Sequence, residues 1–215
     1  MVLDLTKSID DIWKGMTENS RNQINRTQKD DLEIRFNERF DDFYEMNQDF
    51  RRRRGLPPAF ISPEEMRKNY FLTTYESKGT LMGGIISIKD DHRIRLLVSC
   101  NARETESNIP RNMFGRANRL ANWEMIKYAK NEGLVEYDHG GWATGELGEE
   151  LKGINRFKMS IGGTVCEKFS YTKSYSKSFN AVRFLYLRAI GTREKIKEFK
   201  RRKPEERQPE KPGGA

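Results

Sequence analysis

Residues 114–163 constrain the fold more than any other stretch of the chain. They read FGRANRLANWEMIKYAKNEG, then VEYDHGGW, a polar connection, and GINRFKMSIGG. Residues 116–131 hold no proline and no glycine. Ala117, Leu120, Ala121, Met125 and Tyr128 recur at helical spacing and define one wide apolar face. Arg116, Arg119, Lys127 and Lys130 share the opposite arc. Gly133 follows Lys130 where a left-handed C-terminal cap is wanted. Residues 135–137 have room only for a short buried strand, which Asp138, His139, Gly140 and Gly141 end. A helix, a parallel strand and a glycine-marked opening place a ligand beyond the carboxyl end of the strand. The final segment, with Gly153 on one side and Gly162 and Gly163 on the other, reads as a glycine-flanked turn.

The elements before it form an ordered series. Residues 2–5 predict a short strand. Ser8 caps a helix with Asp11 three residues on, and Ile9, Ile12, Trp13 and Met16 form its stripe. Residues 20–29 continue that helix as SRNQINRTQK. Arg21, Arg26 and Lys29 there suit either a solvated face or an RNA contact. Leu32, Ile34 and Phe36 alternate as in a strand. Residues 38–54 predict a helix with Phe40, Phe43, Tyr44, Asn47 and Phe50 on one face. It ends in Arg51, Arg52, Arg53 and Arg54, which suit the helix dipole and also a phosphate. Ser62, Pro63 and Glu65 mark another helix start. Strands over 71–75, 80–88 and 94–100 follow, joined by hairpin-like connections. Gly83 and Gly84 inside the middle one signal a bulge or a close backbone approach. His92 falls in a turn and is expected to be solvated. Beyond 163, residues 164–175 predict a strand with Val165, Phe169 and Tyr171 on one side. Residues 179–190 predict an amphipathic helix carrying Val182, Leu185, Tyr186 and Ala189.

Composition narrows the partners. Charged residues make up 33% of the 215 and the net charge is +8, so an anionic partner is expected: RNA, a phosphate-bearing substrate or a membrane surface. Cys100 and Cys166 lie far apart, within expected strands, and read as reduced core residues of a cytoplasmic protein. No apolar run approaches the length of a membrane span and no signal peptide is expected. Neither a metal cluster, a Walker loop nor a Ser-His-Asp order is present in the sequence.

The series GRANRLANWEMIKYAKNEG, YDHGG and GINRFKMSIGG resembles the C-terminal acyltransferase-fold domain of the Fem family over roughly residues 1–190. The likeness is most specific at Asn118, Trp123 and Glu124, at Tyr137, Asp138, Gly140 and Gly141, and at Phe157, Lys158, Gly162 and Gly163. Fem enzymes transfer amino acids from aminoacyl-tRNA onto peptidoglycan precursors, on the fold of the GNAT acyltransferases. The resemblance therefore implies a single α/β GNAT-like domain with a mixed, mostly antiparallel sheet flanked by helices. The order of elements agrees: three antiparallel strands, a helix, then a parallel strand. The expected organisation is an N-terminal strand and basic helix over 1–30, the GNAT-like domain over 31–191, and a charged extension with a disordered tail over 192–215. The activity implied is aminoacyl transfer from tRNA to the amine of a peptide, amino sugar or cell-wall precursor, with no cofactor beyond the charged tRNA.

The resemblance assigns roles residue by residue. Phe157 and Lys158 match the pair that contacts the acceptor end of the tRNA, with the lysine assisting transfer. An aromatic face stacks on an unpaired base, and an ammonium meets a phosphate or a developing oxyanion. Arg111, Arg116 and Asn118 join them as donor-binding residues. Asp138 is either the group that takes the amine proton or a structural hydrogen-bond acceptor. His139 stands where the motif more usually has an aromatic or apolar residue, and reads as a neutral histidine packed beside Gly140. Acyl-CoA-dependent GNAT enzymes cradle the pyrophosphate on an Arg/Gln-x-x-Gly-x-Gly/Ala loop. Here Arg111, Gly115 and Ala117 are spaced one residue too far apart, which favours a donor other than coenzyme A. Fem enzymes carry two such domains and this chain matches one, so the alternatives are a single-domain enzyme and one half of a split enzyme that needs a partner chain or a second copy. An acyl-CoA-dependent N-acyltransferase and a catalytically silent RNA- or partner-binding module remain the alternatives.

Overall fold

The computed structural model describes residues 1–59, 61–102, 109–169, 176, 178–186 and 188. Met1–Glu167 form one compact unit and Lys168–Ala215 a second. The first unit is a mixed six-stranded sheet with helices on both faces. Its strands are β1 (Val2–Asp4), β2 (Leu32–Phe36), β3 (Phe71–Ser77), β4 (Thr80–Lys89), β5 (Arg93–Asn101) and β6 (Glu136–Asp138). They lie in the order β1-β6-β5-β4-β3-β2, and every pair is antiparallel except β5 with β6.

The helices are α1 (Ile9–Gly15), α2 (Glu18–Arg26), α3 (Phe40–Arg53), α4 (Pro63–Asn69), α5 (Arg111–Asn131) and α6 (Glu149–Ile161). Strand alternation sends Phe71, Tyr75, Ile85 and Ile94 to one face, where they pack with α5 through Ala117, Ala121 and Met125. Leu72, Ile86 and Cys100 face the other way and pack with Phe40 and Phe43 of α3 and Met66 of α4. Because both faces are covered, all of β3 is buried, Thr73, Thr74 and Glu76 included. The strand, helix 1–29 segment shares this core: Leu3, Leu5, Ile12, Met16 and Ile24 belong to the α5 side.

The local signals act as their chemistry requires. Ser8 Oγ accepts from the Asp11 N–H at 3.1 Å, and Ser62 Oγ accepts from Glu65 N–H at 3.2 Å. Gly133, at φ +78, ends α5, where its N–H donates to Lys130 O and the Leu134 N–H to Ala129 O, both at 3.0 Å. Gly83 and Gly84 mark close approach. A Cβ on Gly83 would lie 2.3 Å from the Tyr75 hydroxyl, and one on Gly84 2.6 Å from the Phe43 ring. The register shifts fall beside them, between Tyr75 and Glu76 and between Ile86 and Ser87.

Four sequence expectations are corrected. The first helix does not run through to Lys29: Met16 and Thr17 are extended, and Thr17 Oγ1 caps a new helix on the Ser20 N–H at 3.3 Å. Arg21 holds the break by donating to Lys14 O at 3.1 Å and to Met16 O. The glycine-flanked turn is instead the body of α6, which also takes up residues 149–152 of the expected loop. An internal glycine costs about 1 kcal/mol relative to alanine, and the spacing of Ile154, Phe157 and Ile161 outweighs that at Gly153. Gly162 and Gly163, at φ +101 and +111, end this helix where the chain turns back onto β1. Of the strand expected over 164–175, the described residues 164–169 form one bridge, Thr164 to Val2, and Cys166 is exposed outside any strand. Residues 170–175 lie outside the described residues, as does the tail over 192–215. In the second unit a helix covers 178–186, with the Phe179 N–H donating to Ser176 Oγ at 3.2 Å.

Candidate active site

The site arises where two parallel strands part. β6 pairs with β5 only at Arg93, Ile94 and Arg95, and no strand among the described residues continues along that edge from Leu96 to Asn101. Asp138 ends β6, and the Gly140 N–H folds back onto its Oδ1 at 2.8 Å. A Cβ on Gly140 would meet Leu96 O at 2.9 Å, so glycine is needed where the chains still touch. Past that point they diverge around a cleft of about 590 Å³. Its walls are the open edge of β5, Asn118 and Asn122 of α5, residues 139–141, and one side of α6 including Phe157 and Lys158.

Each wall is fixed by its own contacts. Asn122 donates to Asn118 O and Oδ1 at 2.8 and 2.9 Å and accepts from Tyr137 Oη at 2.8 Å. Asn155 donates to Ala143 O at 2.9 Å and accepts from Ala143 N–H at 3.3 Å, which ties the loop after β6 to α6. Phe157 lies under the Arg119 guanidinium at 5.1 Å and packs against the α5 core. Lys158, in the last turn of α6, reaches across to donate to Gly141 O. Burial pulls its pKa below the ordinary lysine value, and the Asp138 carboxylate opposes that shift. His139 is 3% exposed, and its ring meets Tyr137 edge-on at 4.9 Å.

The structure gathers Lys158, Phe157 and Asn118 on the cleft and leaves the other three sequence-selected residues off it. Asp138 is 2% exposed below the cleft, with Arg95 Nε at 3.6 Å and the Met1 nitrogen at 3.8 Å. Arg116 grips Asp30 at 2.9 and 3.1 Å. Arg111 stands at the N-terminus of α5, exposed. The basic run at the C-terminal end of α3 is largely engaged within the chain. Arg51 donates to Pro57 O at 2.5 Å, Arg53 to Asp49 at 2.8 Å, and Arg54 to Glu150 of α6. That last pair sits on the cleft lining, joining α3 to α6. Sequence reasoning missed it, because no local spacing links positions 54 and 150. Asn155 was also missed, although an amide two residues before Phe157 was its available signal. Among the described residues, no group of three His, Cys, Asp or Glu side chains is placed to hold a metal ion. Nor is any helix there long and apolar enough to cross a membrane.

No protein-family model matches the chain, and no curated protein sequence does. Solved structures do. FemX superposes with a TM-score of 0.62 over 75% of this chain, at 14% identity. The chain has the FemX fold. This Fem-like fold confirms the GNAT-like α/β class, and the match spans 57% of FemX's own length. L-PGS from Bacillus licheniformis matches at a TM-score of 0.48 and 10% identity, over 68% of this chain and 47% of that one. An aminoglycoside acetyltransferase from an uncultured soil metagenomic sample matches at 0.46 and 10% identity, over 67% of this chain and 97% of its own. At those scores neither adds to the assignment. Within the Fem-like fold, the cleft between β5 and β6 is where the sequence pattern and the architecture converge.

Proposed function

We propose that this chain is an aminoacyltransferase that moves an amino acid from aminoacyl-tRNA to the amine of a peptide, amino sugar or cell-wall precursor. The observation that carries the reading is Lys158 at the wall of a cleft opened by parting parallel strands, on the FemX fold. Acyl transfer to an amine needs a held donor, a stabilised oxyanion and a neutral nucleophile. The ester carbonyl enters between Lys158 and the β5 edge, and the amine nitrogen attacks its carbon. As the C–N bond forms, the carbonyl oxygen gains charge facing the ammonium. The ester C–O bond then breaks, and the amine proton leaves with the ribose oxygen. Phe157 supplies an apolar face beside the reacting group, its ring held by Arg119.

A second reading draws on one feature. The open edge of β5 offers backbone N–H and C=O groups to an extended, amide-bearing arm, which suits an acyl-CoA donor. Labelled amino acid on charged tRNA and labelled acetyl-CoA, each offered with an amine acceptor, separate the two. Transfer from tRNA, with affinity falling steeply as salt rises, is the expected result. Transfer from acetyl-CoA alone with a flat salt response on RNA moves the assignment to the second reading.

A further inference from the structure

His139 is the one side chain on the cleft whose buried polar atoms are left unmet, among the described residues. Neither Nδ1 nor Nε2 has a hydrogen-bond partner, although the residue is 3% exposed. Its neighbours show the contrast. The Asn122 amide, the Tyr137 hydroxyl and the Asn155 amide all find protein partners around the same cleft. An orphaned buried polar group costs about 1–3 kcal/mol, so a native chain keeps one where something else completes it.

We propose that His139 holds the neutral acceptor amine, accepting one amine N–H on an imidazole nitrogen so that the amine lone pair faces the carbonyl beside Lys158. This rests on the acyl-transfer reading of the cleft. The edge contact with Tyr137, at 82° between ring planes, sets the imidazole's orientation. Burial, then the charges of Lys158 and the Met1 nitrogen, lower the ring's pKa to about 3, while Asp138 and the Gly162 backbone oppose the drop. The imidazole is therefore neutral at every working pH. A neutral imidazole protonated on one nitrogen keeps a lone pair on the other, which can accept. A protonated acceptor would meet the Lys158 ammonium, and the site thus selects the uncharged, nucleophilic form. In the transfer the amine nitrogen bonds to the acyl carbon, the ester C–O bond breaks, and the amine proton ends on the departing oxygen. His139 is unchanged.

The chain has two histidines, so ring signals of histidine-labelled protein are assignable with His92→Gln alone. Glycinamide, titrated at pH 8 into the full chain, is expected to move the His139 ring signals and leave those of His92 in place. In transfer assays His139→Phe should lower kcat/KM for glycinamide by about tenfold or more, with KM for the donor unchanged. His139→Gln keeps an acceptor oxygen and should recover most of the loss, which a packing role alone would not produce. Silent His139 signals at millimolar glycinamide overturn the inference, whether or not the variants fold. So does a His139→Phe enzyme equal to wild type. If wild type transfers from neither charged tRNA nor acetyl-CoA while glycinamide still moves His139, the amine site stands and the proposed reaction falls.

Discussion

Two buried polar groups, Glu76 and His139, show how differently the two halves of the sheet are finished. Glu76 on β3 is 4% exposed and receives Arg35 at 2.5 Å and Arg39 as well. Burial alone would raise its pKa, and the two guanidinium hydrogen bonds outweigh that and hold it below the usual carboxylate value. His139, past the end of β6, is as buried and has no partner on either nitrogen. In the first, closed region the buried carboxylate is answered from within, by two guanidinium groups. The second is open, with a cationic side chain, a neutral imidazole and a strand edge that none of the described strands covers converging on one cleft. Thr74 Oγ1 and Asn47 Oδ1 are also buried and unmet on the closed side, so it is an unmet group on a cleft wall, not an unmet group alone, that separates the site from the core.

The largest test of that contrast is Lys158→Ala. If the ammonium meets charge that develops only in the transition state, turnover should fall by about 2.7–4 kcal/mol, the scale for losing one oxyanion donor. The urea midpoint should hardly move, because Lys158 gives up one hydrogen bond to Gly141 O and no core packing. Lys158→Arg keeps the charge in a planar fork and should restore donor binding better than rate. A variant with wild-type turnover removes Lys158 from the chemistry.

His139 sharpens the comparison through pH. Its folded pKa of about 3 lies below the ordinary histidine value of 6.5, so the unfolded chain takes up the proton first. Its share of stability is complete above about 6.5 and is lost as pH falls toward 3. The loss runs at about 1.4 kcal/mol per pH unit, or about 2–3 kcal/mol by pH 4.5. Asp138 and Lys158 face the same ring, so the quantity to measure is the difference between wild type and His139→Phe in urea melts from pH 7 to 4.5. Parallel stability curves would mean the ring is not buried neutral.

On the closed side, Gly83→Ala drives a methyl group into the Tyr75 ring, whose edge lies 2.6 Å from the new Cβ. Overpacking of this kind destabilises by about 1–3 kcal/mol. Thermal and urea melts should show it, with glycinamide binding retained, because Gly83 is not on the cleft lining.

The closed half is also the half that the sequence made legible. β3, β4 and β5 announce themselves by alternation, the two serine caps by their spacing, and Gly133 by its place after Lys130. The open half is read less well because its decisive contacts are tertiary. Gly153 and the pair after Ile161 hid a helix whose apolar spacing was present all along. Arg116 looked free for RNA until Asp30, far away in sequence, claimed it. Asp138 and Lys158 were both selected by the family motif, yet only Lys158 reaches the cleft.

The smallest expected effect concerns the rim where the halves meet. Arg54 and Glu150 form an ion pair there, with side chains 50% and 63% exposed. A pair so exposed contributes about 0–1 kcal/mol, so Glu150→Gln should shift the urea midpoint little. Donor binding should respond more clearly. Arg54 also leans over Phe50 at 5.5 Å, which keeps its guanidinium at the rim once the carboxylate is gone. With charged tRNA as ligand, a guanidinium released from Glu150 can neutralise one further phosphate. Each neutralised phosphate on single-stranded nucleic acid adds about 0.7 to the slope of log affinity against log salt. The Glu150→Gln variant should therefore bind charged tRNA more tightly at low salt and lose that gain between 50 and 200 mM, roughly the range over which phosphate contacts are screened. Filter binding across that range reads both quantities, and Arg54→Gln should leave the slope at or below the wild-type value. Identical slopes in all three proteins would place the RNA backbone away from this rim and leave Arg54 as a strut between α3 and α6.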